Sequence, residues 1–195
     1  MVGKAVGKGS GGNQSPRQSA EPSQDVTFWG VRGTIPTPGE RTLKYGGNTS
    51  CVEVITSSGN ERTSVVLDAG TGISKYGDWA LKRGDREFHV FLSHMHYDHI
   101  FGLTRFAPLF RSDCRISFYG QSKCGKSLQE ILQSFFSYPF FPVRFEDLGS
   151  RRNLHFTEIN NLQELSIGCA RIQFQSLNHP QDAVAFRVSN KNEPK

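Results

Sequence analysis

Ser93-His94-Met95-His96-Tyr97-Asp98-His99 is the stretch on which the reading of this chain turns. Three of the six histidines fall within six residues, and an aspartate joins them. The segment directly follows Phe88-His89-Val90-Phe91-Leu92, a nearly continuous apolar run of the kind that forms a strand covered on both faces. Residues just past the end of a buried strand are held by a rigid scaffold and often face a crevice. Neutral imidazole and carboxylate are the donors that zinc, manganese and iron accept. In an extended loop, residues two apart share a side, so His94 and His96 can grip one ion. Asp98 and His99 then project elsewhere and can serve a second. Two ions about 3.5–4 Å apart can share a hydroxide and clamp the attacking and leaving oxygens of a hydrolysis.

On either side of this cluster, strands alternate with helices. Val26-Thr27-Phe28-Trp29 opens the first apolar segment. Residues 50–56 and 63–67 are rich in β-branched side chains and are joined by Ser58-Gly59-Asn60, which predicts a hairpin. Ile73, Tyr76, Ala80 and Leu81 have helical spacing, with Gly84 placed to cap the C-terminus. Residues 115–119 form a further strand ending at Gly120, and Leu128, Ile131, Leu132 and Phe135 mark a second helix. Short strands are expected at 154–158, 171–177 and 183–188. The pattern is a layered α/β protein with helices packed on sheets.

The 195 residues correspond to one domain at about 150 residues each. Residues 1–24 are mostly Gly, Ser, Gln, Lys and Pro and have almost nothing to bury, so they read as a disordered leader or linker to a domain spanning 25–195. No apolar run approaches the ~20 residues of a membrane span, and residues 1–25 hold no secretory h-region. The expected location is therefore the cytoplasm. Four widely spaced cysteines with no CxxC pair read as reduced thiols. The net charge of +5 is spread as +1 over residues 1–25, +2 over 26–150 and +2 over 151–195. With no basic–aromatic constellation, nucleic acid is expected only as a substrate.

Three further blocks accompany the cluster: Phe28-Trp29-Gly30-Val31-Arg32-Gly33-Thr34-Ile35-Pro36, Tyr45-Gly46-Gly47-Asn48-Thr49-Ser50-Cys51-Val52-Glu53-Val54 and Leu67-Asp68-Ala69-Gly70-Thr71-Gly72-Ile73. Together with HxHxDH they resemble the metallo-β-lactamase superfamily of metallohydrolases. The likeness is to a branch near ribonuclease Z and the cyclic-nucleotide phosphodiesterase-like members, and it runs from about residue 26 to the last residues. The resemblance implies an αββα sandwich and hydrolysis by a metal-bound hydroxide, with phosphodiesters the favoured substrate class. It matches His94, His96 and His179 to the first metal. Asp98 and His99 match the second, with Asp98 also orienting the attacking water. The metal it implies is zinc, with manganese or iron as alternatives. It makes Asp68 a supporting group that holds the metal loop in place; an aspartate bonding the turn amides of Gly70 and Gly72 is the other reading. Arg32, Thr49 and Ser50 are candidate contacts to an anionic substrate, nucleotide or small molecule. Members of the family often dimerise, which makes a homodimer possible, although nothing in the sequence locates an interface.

The family pattern is not complete. A bridging aspartate on a later strand and a final histidine have no match: no histidine follows His179, and Asp182 and Glu193 stand in the wrong places. The last strands of the second half of the sandwich are therefore expected to be missing, leaving an unpaired edge and exposed apolar surface. That departure keeps a second function open, an impaired remnant or fragment that binds a metal or a partner.

Overall fold

A computed structural model describes residues 22–160, 163–180 and 182–192. The leader expected over residues 1–24 lies mostly outside them, and its last two residues, Ser23 and Gln24, belong to the first strand instead. Six strands form a mixed sheet in chain order: β1 Ser23–Gly30, β2 Cys51–Ser58, β3 Glu61–Leu67, β4 Glu87–Phe91, β5 Arg115–Gly120 and β6 Leu154–Glu158. The first three pair antiparallel, with Ser58 opposite Glu61 across the Gly59-Asn60 turn. From β3 to β6 the pairing is parallel. Three more strands, β7 Glu164–Ile167, β8 Ala170–Leu177 and β9 Ala183–Asn190, form a second, antiparallel sheet.

The central strand β4 shows why its sequence is apolar throughout. Phe88 and Val90 face one side of the sheet, where helix α1 (Gly72–Arg83) supplies Ile73, Tyr76 and Ala80 and helix α3 (Leu128–Phe135) supplies Leu128 and Leu132. Phe91 faces the other side, where Val54, Val65 and Tyr119 meet Ala170, Ile172 and Val184 of the second sheet. Tyr76, Phe88 and Phe106 add edge-to-face ring contacts at 6.2 and 5.5 Å between centroids. Helix α1 ends where Gly84, at φ 98°, returns its amide to Ala80 and Leu81. Helix α3 starts on a reciprocal cap between Ser127 and Glu130.

The described residues thus make a helix layer, a six-stranded sheet and a three-stranded sheet. The outer edge of β9 carries no partner strand among them. Val26 and Phe28 of β1 lie opposite Val54 and Val52, on the face turned toward the second sheet, yet are 51% and 67% exposed. All four cysteines are free thiols, three of them buried. No helix of the described residues is long and apolar enough to cross a membrane.

Candidate metal centre

The parallel strands bring their carboxyl ends to one rim. Asp68 follows β3 and gives its amide to Phe91 O at 2.8 Å; Leu92 follows β4 and gives its amide to Tyr119 O at 2.8 Å. The histidine segment emerges at this rim and closes into the short helix α2, Tyr97–Ile100. It is locked to the turn after β3 by backbone bonds from Ala69 N to His99 O (2.7 Å) and from Gly102 N to Ala69 O (3.0 Å). Two glycines make that approach possible. A Cβ on Gly70 would stand 2.2 Å from Asp98 O, and one on Gly102 would stand 2.0 Å from Gly70 O.

His179 comes from the other sheet, two residues after β8. The amide of Val184, at the start of β9, donates to Ser93 O at 2.9 Å and so ties the His179 loop to the cluster. A nitrogen of each of His94, His96 and His179 lies within 4.8 Å of the others, with His94 buried and His179 exposed. His94 Nε2 and His96 Nδ1 are 3.0 Å apart. Burial first, then the neighbouring His99 and His96, push the His94 imidazole down to about 4, which keeps it in the neutral form a cation needs. Three imidazole nitrogens, converging from two loops with His179 exposed to solvent, are a donor set that fits a divalent ion with a free coordination position.

Asp98 and His99 lie beside this trio, with Asp98 Oδ2 3.4 Å from His99 Nε2. Asp98 Oδ2 also accepts the Thr34 amide at 2.8 Å. Burial raises the Asp98 carboxyl, but the Thr34 bond and the adjacent His99 outweigh it, and the net shift is downward. Thr34 holds φ 67°, a conformation unusual for a β-branched residue. Its contact comes from the backbone, and nothing in its side-chain chemistry announced it.

Asp68 bonds the histidine segment rather than the turn amides of Gly70 and Gly72. Oδ1 accepts Ser93 N at 2.9 Å and Ser93 Oγ at 2.7 Å; Oδ2 accepts Ser50 Oγ at 3.1 Å and lies 2.7 Å from His99 Nδ1. The amides of Gly70 and Gly72 go instead to Ser50 O and Thr49 O. Burial lowers the His99 pKa, but the hydrogen bond and charge of Asp68 raise it further, so the net shift is upward.

The expected substrate contacts separate. Thr49 is a correction: it is fully buried, and its hydroxyl accepts the Thr71 amide at 2.8 Å, so it ties β2 to the start of α1 and meets no substrate. Ser50 spends its hydroxyl on Asp68. Arg32 is exposed, two residues before Thr34, on the loop that touches Asp98. His89 and His155 lie away from the site, bonded to Tyr119 and Arg115.

Comparison with known proteins places this geometry. Residues 45–111 match the family described as Metallo-beta-lactamase superfamily. A ribonuclease Z of Prochlorococcus marinus strain MIT 9215 is 32% identical over 176 residues, covering 87% of this chain and 51% of its own length. A ribonuclease Z of Prochlorococcus marinus subsp. pastoris is 32% identical over 111 residues, covering 54% of this chain and 33% of its own. The chain therefore spans about half the length of the first of these relatives and a third of the second. The metallo-beta-lactamase fold protein YhfI from Bacillus subtilis superposes with a TM-score of 0.58 at 19% identity, over 89% of this chain and 60% of that one. Unliganded yeast PDE1 superposes at 0.54 and 15% identity, over 87% and 62%. At such identities the likeness is one of fold, and it agrees with the α/β sandwich read from the sequence.

Proposed function

The chain carries a metallo-β-lactamase superfamily domain, and from that premise we propose that it is a metal-dependent hydrolase of phosphodiesters. The observation that carries the reading is the convergence of His94, His96 and His179 from two different sheets. Similarity to proteins named ribonuclease Z supports phosphodiesters over other scissile bonds, with nucleic acid included as a substrate. His94, His96 and His179 would hold one divalent cation, zinc in the first instance, with manganese or iron accepted by the same donors. When bound there, such a cation would supply Lewis-acid polarisation of a phosphoryl oxygen and would lower the pKa of water toward about 7.

The rest of the chemistry falls to the chain. Asp98, pinned by the Thr34 amide, presents a carboxylate that accepts a proton from water and fixes its direction of attack. His99, oriented by Asp68, would join Asp98 in holding a second cation, the two donors for it among the described residues. Arg32 offers a guanidinium to the substrate anion. Hydrolysis of bis(p-nitrophenyl) phosphate by the purified chain with added zinc or manganese tests the reading. His96→Ala is expected to bring the rate to background. Equal rates for the variant and the wild type would overturn it.

A further inference from the structure

An aromatic cleft of about 690 Å3 lies between α2 with the turn after it and α3. Tyr97 and Phe101 line one wall, Ile131 and Phe135 the other, and Phe140 and Phe141 form the lip. Tyr97 shares the short helix α2 with Asp98 and His99, so the cleft is built on the element that carries two of the groups proposed to act on the phosphodiester. Phe101 and Phe135 meet edge to face, 6.3 Å between centroids at 76°. Tyr97 is 74% exposed and Phe140 88%. Rings left so open contribute little to the core, and clustered exposed apolar groups mark binding sites.

A second, smaller cleft of about 290 Å3 adjoins the first and shares Phe101 and Thr104 with it. Lys75 and Arg105 line it, both exposed, and neither stands within ion-pair distance of a carboxylate among the described residues. Among the described residues, no acidic side chain lines either cleft. Flat aromatic faces next to unneutralised cations, side by side, complement a flat base joined to a phosphate. A branched aliphatic ligand would use neither the ring faces nor the charge.

We infer that the aromatic cleft is a stacking site for an unpaired nucleobase of the substrate, and that Lys75 and Arg105 take an adjoining phosphate. The inference rests on the phosphodiesterase reading and narrows it to substrates carrying a base. The base can belong to a single strand or to a cyclic mononucleotide, and both share the same stacking chemistry.

The test is equilibrium binding by the full chain. The probes are a short, hydrolysis-resistant phosphorothioate oligoadenylate, the same oligomer with abasic positions, and adenosine 3′,5′-cyclic phosphorothioate. Phe140→Ala removes one exposed ring, and Phe140→Trp restores a stacking face. Loss of one stacked base contact is expected to raise Kd about tenfold in Phe140→Ala, with recovery in Phe140→Trp. The abasic oligomer is expected to bind wild type as weakly as the intact one binds Phe140→Ala, and to lose nothing further in the variant. An effect on the oligomer alone assigns the site to a strand; an effect on both probes assigns it to the base in either form. Lys75→Gln and Arg105→Gln are each expected to lower the slope of log affinity against log salt by about 0.7 for the oligomer. Unchanged Kd for both probes in Phe140→Ala, or equal binding of intact and abasic oligomers by wild type, overturns the inference. Hydrolysis of bis(p-nitrophenyl) phosphate by the same preparation reports separately. Hydrolysis with base-blind binding sinks the stacking site alone, while base-dependent binding without hydrolysis sinks the hydrolase reading alone.

Discussion

Replacing Asp68 by Asn isolates what this carboxylate does for the metal loop. Asn keeps the shape and tolerates the φ of 64° found here. Its carbonyl oxygen can still accept the two bonds from Ser93, at 2.9 and 2.7 Å. Its amide nitrogen then takes the place of the oxygen that faces His99 Nδ1 at 2.7 Å. Two donors cannot face each other, so His99 must move its proton from Nδ1 to Nε2. Nε2 is the nitrogen on the Asp98 side, and once protonated it has no lone pair for a cation. Exchanging a charged hydrogen bond for a neutral one costs about 1–2 kcal/mol, or roughly 2–8 °C in melting temperature for a chain of this size. Cation affinity at the Asp98–His99 position falls about 10–100-fold. Imidazole nitrogen NMR at a pH well above 7 reads the tautomer without any metal. The expected result is Nδ1–H in wild type and Nε2–H in Asp68→Asn. The same tautomer in both proteins would refute the reasoning.

Other consequences are equally specific. Gly70→Ala puts a methyl group 2.2 Å from Asp98 O and 2.4 Å from Thr49 Oγ1; the expected loss is about 1–3 kcal/mol in urea unfolding, with impaired hydrolysis because Asp98 shifts. Arg83→Met strips the fully buried Glu53 of its 2.8 Å ion-pair partner and should cost about 3–5 kcal/mol, part of which returns when Glu53→Leu is added. Burial holds the His89 imidazole below its ordinary 6.5. The unfolded chain therefore takes up that proton first: the contribution is complete above pH 6.5 and declines as pH falls below it. His89→Gln should flatten the decline of the urea midpoint through that range relative to wild type, and identical profiles would contradict the account.

Much of this architecture is legible in the residues, because its signals are local. The run from Phe88 to Phe91 does become part of a strand with core on both faces, Gly84 does close α1, and Ser127 with Glu130 does open α3. What is not legible depends on contacts between distant segments. Strand β7 has only Leu165 and Ile167 to show alternation, and its pairing with β8 makes it a strand. Thr34 serves Asp98 through a backbone amide, which a reading of side chains passes over. Thr49 lies in a family-like block and so invites a functional role, but the close turn between β2 and α1 buries it. Asp68 was open between two readings because both use the same carboxylate; only the position of Ser93 and His99 in space separates them.

The central claim is that His94, His96 and His179 hold a catalytic cation. Elemental mass spectrometry of the purified chain after dialysis against zinc measures it most directly. The account predicts about one tightly held ion per chain, lost in His96→Ala and in His179→Ala while both variants stay folded by circular dichroism. A folded wild-type chain that retains no metal, or variants that retain as much as wild type, would contradict it.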